Sequence, residues 1–212
     1  MEGGADVVSE LSPDEGEALA DATVDQQVAA LERAMRRNPA ATAILERAPQ
    51  LRLPSWYLGA GAITQTVWNL LHGFDPTQGI KDYDLVYFDP DDLSLAGEQA
   101  TEDRAAQLYS DLEVKLDVTN EARVHLWYPD RFGRSIPPYR STEHAISTWP
   151  TTASSIGVRT NDGALVVCAP FGFSDLYAMV VRPNKGIINQ DVYEAKAQRW
   201  AEAWPKLSVI PW

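Results

Sequence analysis

The sequence predicts an α/β (α+β) fold in which a sheet is flanked by helices. Three observations point there. Strand-like and helix-like patterns alternate from Trp56 to Val118, which is the order of an α/β sheet. A glycine-bearing turn, Gly59-Ala60-Gly61-Ala62, joins the first strand to its helix. Two aspartates one residue apart, Asp82 and Asp84, open the next strand.

The elements follow in chain order. Val24, Val28, Leu31 and Met35 recur at helical spacing and give one apolar stripe. Asn38-Pro39 stops that helix. A short alanine-rich helix covers about Ala40 to Ala48, and Trp56-Tyr57-Leu58 is the first strand. The next helix carries Ile63, Val67, Leu70 and Leu71, and Gly73 is placed to end it. Leu85 to Phe88, rich in β-formers, is the second strand. A helix over about Glu98 to Leu112 and a strand at Val114–Val118 follow. Glu121 to Tyr128 fits either helix or strand. A helix is expected around Thr142–Thr148. Asn161-Asp162-Gly163 between Ser155–Arg159 and Ala164–Cys168 is a hairpin signal. Gly172–Val181 and Asp191–Trp204 are expected as helices, the latter burying Tyr193, Ala197, Trp200 and Trp204.

Charge divides the chain. The net charge is −12, and residues 1–27 hold eight acids with no Lys or Arg, two thirds of that total. Residues 1–22 are therefore expected to be a solvated, disordered acidic tail. Residues 23–212 are expected to be a single domain, with a core at about 56–128 and a C-terminal extension at about 139–212. The body has no basic block, which argues against tight binding to duplex nucleic acid. Cys168 is the single cysteine and lies in an apolar run, so it reads as core. No stretch is long enough to span a membrane, and the acidic N-terminus lacks signal-peptide character. The expected location is the reducing cytoplasm.

The chemistry concentrates at three places. Side chains two apart on a strand share a face, so Asp82 and Asp84 aim at one spot. Two close carboxylates repel unless a cation lies between them, and a hard ion such as Mg²⁺ suits them, its shell completed by nucleotide phosphates. A polar strand end would look the same. The turn at Gly59 and Gly61 lets backbone approach a phosphate, and the helix behind it offers free N–H groups. It also serves as an ordinary strand–helix turn. Asp117, between Leu116 and Val118, faces away from its apolar neighbours. It follows Asp84 by 33 residues, enough for one crossover helix. If the two strands are neighbours, three carboxylates meet, the arrangement that holds metal and a triphosphate. Arg123 and His125, two apart in an apolar run, are candidates for contacting phosphate or base. Structurally, Arg123 could instead pair with the carboxylate cluster, and His125 could be a hydrogen-bonded core histidine.

This order of glycine turn, Asp-x-Asp and lone strand aspartate resembles the polymerase-β-type nucleotidyltransferases. The chain is more closely similar to the bacterial "nucleotidyltransferase family protein" group, whose members are mostly of unknown substrate. The resemblance rests on Ala60–Trp68, Asp82–Asp89, Asn120–Tyr128, Trp149–Ala153, Ala169–Gly172 with Asp175-Leu176, and Arg182–Asn184. It implies a small mixed sheet with flanking helices. It also implies metal binding by Asp82, Asp84 and Asp117, with Asp117 as base, and a triphosphate at Gly61. The implied reaction moves a nucleoside monophosphate from an NTP to an unidentified acceptor hydroxyl, with Mg²⁺ or Mn²⁺. One departure stands out. The superfamily usually has Gly-Ser or Gly-Gly at the turn, whereas Ala62 follows Gly61. That departure motivates a second expectation, a module that binds nucleotide without turnover. A glycosyltransferase using Asp-x-Asp ranks lower, because only one βα unit precedes the motif. Oligomeric state is not readable from the sequence.

Overall fold

The computed structural model describes residues 11–212. Its centre is a five-stranded sheet of order β3-β2-β1-β4-β5, built from β1 (Tyr57–Gly59), β2 (Tyr83–Tyr87), β3 (Leu116–Asn120), β4 (Gly157–Asn161) and β5 (Ala164–Cys168). Strands β2 and β3 are parallel, and the other pairs are antiparallel, so the sheet is mixed as the resemblance implies. A parallel pair needs a crossover, and helix α5 (Leu95–Leu108) supplies it between β2 and β3.

Local sequence explains the helix limits. Helix α2 (Val24–Arg37) begins at Thr23, which forms a capping box with Gln26. Asn38 ends α2 and caps α3 (Pro39–Arg47), whose first residue is the proline. Helix α4 (Gly61–His72) ends at Gly73, held at φ 72°, a left-handed conformation that glycine adopts without strain. In the β4–β5 hairpin Asp162 and Gly163 have φ 48° and 80°, as a tight mirror-image turn requires.

Alternation along β2 divides the molecule. Tyr83, Leu85 and Tyr87 belong to the main core, which also takes in Leu31 and Met35 of α2 and the apolar faces of α3 and α4, while Val24, expected in the α2 stripe, is exposed. Val86 instead packs with Tyr57 and Ile146 in a separate cluster on the opposite face. Asp82 and Asp84 have the same parity as Val86, so they stand on that second face.

Several expectations are corrected. Residues 11–22, placed in the acidic tail, are part of the fold. Helix α1 (Gly16–Ala20) follows Leu11, and Leu11 and Leu19 are buried in the main core. Residues 1–10 of that expectation lie outside the described residues. Strands β4 and β5, from the segment expected as a C-terminal extension, belong to the same sheet as β1, β2 and β3. Glu121 to Tyr128 resolves into a 3₁₀ turn, Glu121–Arg123, leading into helix α6 (Val124–Phe132). Helix α7 (Thr142–Ile146) lies where expected. The helix expected over Gly172–Val181 is only α8 (Ser174–Tyr177), because Met179 takes a left-handed φ of 55° and strand β6 (Val180–Val181) begins. Helix α9 (Gln190–Ala203) buries Tyr193, Ala197 and Trp200 as expected, Trp204 just beyond its end is buried too, and β7 (Ser208–Val209) pairs with β6.

Candidate functional site

A row of residues crosses the sheet on its second face. Gly157 pairs with Gly59, Gly59 with Asp84, and Asp84 with Asp117. Paired residues on neighbouring strands project to the same side, so Asp84 and Asp117 stand side by side, with Asp82 one pleat before Asp84. The two glycines make the row possible. A Cβ on Gly59 would lie 2.4 Å from the Trp149 ring, and one on Gly157 would lie 2.7 Å from the Ile146 side chain. Their bare backbones let Trp149 lie against the sheet next to the aspartates.

These residues open onto a cavity of about 850 Å³ lined by Ala60, Asp82, Asp84 and Asp117. That volume falls in the range that holds one cofactor-sized ligand. The pKa of Asp84 is pushed up to about 6, first by burial, then by the charge of Asp82, with Asp117 adding to it. Lys196 of α9 faces the same acids. Burial lowers its ammonium pKa while Asp84 and Asp82 work to raise it. Lys115 reaches Asp117 at 2.6 Å, with Lys115 largely in solvent and Asp117 partly so, and the pair is weakly held.

The three aspartates share a face and a cavity but are not drawn into one closed cage. Among the described residues, no group of three or more His, Cys, Asp or Glu side chains is close enough to hold a metal ion. The donor chemistry still fits Mg²⁺ or Mn²⁺. Asp82 and Asp84 are hard oxygen donors on one face, and their mutual repulsion is what a divalent cation would relieve.

The turn at Gly59 and Gly61 borders the cavity through Ala60. Ala60 is held at φ 53° and ψ −128°, a strained conformation for a residue with a side chain. It gives α4 no side-chain cap, so the first N–H groups of this twelve-residue helix depend on other partners. Ala62 is fully buried in the core, and so a serine there would not present its hydroxyl to the cavity. Thr64 donates to the Ala60 and Ala153 carbonyls, and Thr66 donates to the Ala62 carbonyl while accepting from Asn38. Neither stands in for the absent hydroxyl, and any phosphate at this turn would rely on backbone.

Arg123 and His125 are not brought to the cavity. Arg123 is buried, ion-paired with Glu98, and donates from Nε to the Leu93 carbonyl at 2.9 Å. The sequence left open a pairing with the carboxylate cluster, but the partner is Glu98 on α5 instead. His125 is half-buried with Nδ1 inside the protein, and it is not among the residues that line the cavity.

Glu121 is the residue that sequence reading passed over. It is 5% exposed and lines the cavity, and its pKa is pushed up to about 8 by burial and then by Asp84, opposed by a hydrogen bond from Trp149. The run Asn120-Glu121-Ala122 gives no signal of this, because burial of an acid after a strand end depends on what packs over it. A carboxyl raised from the usual range to about 8 favours folding fully below pH 4.5, and that contribution is lost as pH rises to 8. Glu121→Gln is therefore expected to flatten the pH dependence, removing a slope of up to about 1.4 kcal/mol per pH unit. Chemical denaturation at pH 5 and pH 8.5 checks it, and identical slopes in both proteins would contradict the burial argument.

The remaining segments of the resemblance hold Trp149 in place. Thr151 bridges to Pro183, and the Thr152 hydroxyl donates to Asp175 at 2.6 Å. Arg182 pairs with the same Asp175 at 2.9 Å. Asn184 donates to the carbonyls of Ser147 and Trp149. Arg182-Pro183-Asn184 thus ties the Trp149-Pro150 corner of the cavity to the C-terminal elements.

The chain is similar to known proteins in sequence and in fold. A family model described as "Nucleotidyltransferase" matches residues 46–209. A solved structure described as "The NMR structure of the protein reveals a CCA-adding enzyme head domain" superposes with a TM-score of 0.72 at 24% identity, covering 91% of this chain and all of that one. At that identity the likeness establishes the fold. No curated protein matches the chain. Among the described residues no helix is long and apolar enough to cross a membrane.

Proposed function

The chain belongs to the nucleotidyltransferase family, and from that premise we propose that it moves a nucleoside monophosphate from an NTP to an acceptor hydroxyl. The observation that carries this reading is the cross-sheet row Gly59–Asp84–Asp117, with Asp82 on the same face of the same cavity.

In this reading the backbone at Gly59–Gly61 and the N-terminus of α4 receive the β- and γ-phosphates. Asp82 and Asp84 would hold Mg²⁺ or Mn²⁺, which when bound offsets phosphate charge and stabilises the departing pyrophosphate. Asp117 takes the proton of the acceptor hydroxyl, whose oxygen bonds to the α-phosphorus as the bond to pyrophosphate breaks. Lys115, exposed to solvent, releases Asp117 at little cost. Lys196 supplies a positive charge beside the carboxylates. The acidic body of the chain suits a small acceptor better than a long nucleic acid.

A second reading, nucleotide binding without turnover, is favoured by one observation: the turn presents no hydroxyl, with Ala62, Thr64 and Thr66 all engaged inside the fold. One experiment separates the two. The protein is incubated with each α-labelled NTP and Mg²⁺ or Mn²⁺ in a small-molecule extract, and labelled product and pyrophosphate are measured. Transfer predicts both, dependent on the cation. Nucleotide binding by calorimetry with no labelled product from any NTP would overturn the enzymatic reading.

A further inference from the structure

The cavity has two kinds of lining. Around the aspartates and along one face of α5, at Gln99, Glu102 and Asp103, it is polar and acidic. At α6 it is aromatic: Trp127, Tyr128 and Phe132 all line it, joined by Tyr139 and Trp149. Trp127 and Tyr128 are stacked at 6.2 Å between centroids, and Tyr128 meets Phe132 at 4.5 Å. The Arg131 guanidinium lies 5.9 Å from the Trp127 ring centroid and 5.5 Å from that of Phe132, on the exposed rim. Ile187, Ile188 and Val192 add apolar surface to this half, and Asn189 lines it between them.

The tyrosine hydroxyls of the aromatic wall are already occupied. The Tyr128 hydroxyl donates to the Ile187 carbonyl at 2.8 Å, and the Tyr139 hydroxyl is bonded to Thr148 at 2.9 Å. The wall therefore offers ring faces and a guanidinium plane, with its tyrosine hydroxyls taken.

Resting on the nucleotidyltransferase reading, we propose that this wall stacks the base of the incoming NTP and that it does so with little discrimination among the four bases. A triphosphate at the glycine turn and aspartates leaves its base within the same cavity, and the acidic face of α5 offers a ring no partner. The α6 wall does. Stacking on an aromatic face is available to every base, whereas selection needs hydrogen-bonding edges that the tyrosines here do not present. The α5 side is left to the acceptor.

Calorimetry with ATP, GTP, CTP, UTP and tripolyphosphate, each with Mg²⁺, tests this without a known acceptor. In the unaltered protein all four NTPs are expected to bind within about tenfold of one another. Trp127→Leu should weaken each by roughly 5- to 100-fold, the range for losing one base stack. Its tripolyphosphate affinity should not change. Trp127→Phe should retain most of the affinity, and Arg131→Ala, at an exposed position, should weaken all four NTPs by roughly threefold. Those two variants keep the test decisive if Trp127→Leu folds poorly. Unchanged NTP affinity in the variants would overturn the base placement while leaving the transfer reading intact, and would assign the wall to the acceptor. An equal loss for tripolyphosphate would also overturn it, by showing a general effect on the fold. A strong preference for one base would overturn the tolerance. An unaltered protein that binds no NTP would overturn both proposals.

Discussion

Asp84→Asn is expected to lower nucleotidyl transfer about 10³-fold or more while leaving the protein folded and no less stable. The activity loss follows from the position of Asp84, between Gly59 and Asp117 in the cross-sheet row and on the face of Asp82. A metal-held phosphoryl centre draws several kcal/mol of transition-state stabilisation from its ligands. About 4 kcal/mol corresponds to 10³ in rate. The stability expectation follows from the same surroundings. Burial and the charges of Asp82 and Asp117 push the Asp84 pKa up to about 6. A carboxyl raised in this way contributes stability below its usual range near 4, and that contribution is lost as pH rises through about 6. Asparagine is nearly isosteric and uncharged, so at neutral pH the variant escapes the repulsion that the carboxylate suffers. Steady-state assays and thermal denaturation at pH 5 and 7.5 check both halves. Full activity in Asp84→Asn would remove the aspartate row from the mechanism. A large fall in stability would show that the carboxylate has a structural partner the geometry does not reveal.

The opposition of activity and stability at one residue reflects how the sheet is used. Along β2 the odd-numbered side chains Tyr83, Leu85 and Tyr87 fill the main core. The even-numbered Asp82 and Asp84 crowd like charges over a cavity. A single strand thus carries folding on one face and strain on the other, and sites for chemistry are commonly built this way.

Period-two alternation is also what made this part legible from sequence. Asp82, Asp84 and Asp117 stand out because an acid at a fixed parity among β-formers contributes nothing to packing. Helix limits were legible where Asn38-Pro39 or a glycine set them, as at the end of α2 and at Gly73, whereas the Thr23 cap was not read. What was not legible depends on contacts distant in sequence. Glu121 is buried beneath Trp149, 28 positions onward, and Lys196 reaches the aspartates from the last helix. The acidic segment around α1 is held by Leu11 and Leu19, two leucines that composition outweighs. Gly172–Val181 carried a helical pattern, yet the left-handed turn at Met179 sends the chain into β6 instead. Arg123 and His125 drew notice for their residue types, but type cannot say which side of α6 and its 3₁₀ turn meets the cavity.

Arg123→Met is expected to destabilise the protein by about 3–5 kcal/mol, the usual consequence of removing one partner from a buried ion pair. Glu98 would be left buried, with the Asn120 backbone N–H as its remaining donor at 2.9 Å. For a domain of this size the loss corresponds to a fall in melting temperature of roughly 10 °C. The Arg123–Glu98 pair joins the start of α5, the crossover helix, to the turn that follows β3, the strand that sets Asp117 beside Asp84. Nucleotide affinity of the protein that remains folded should change less than about threefold, since Arg123 does not line the cavity and is engaged with Glu98 and Leu93. A double variant, Arg123→Met with Glu98→Met, supplies the decisive comparison. Replacing both charges with apolar groups of similar volume removes the stranded carboxylate, so much of the lost stability should return, leaving a coupling energy of about 2 kcal/mol or more. If the single variant melts normally but loses NTP binding, Arg123 is a phosphate ligand after all. If the two substitutions prove additive, the buried pair does not hold the crossover together.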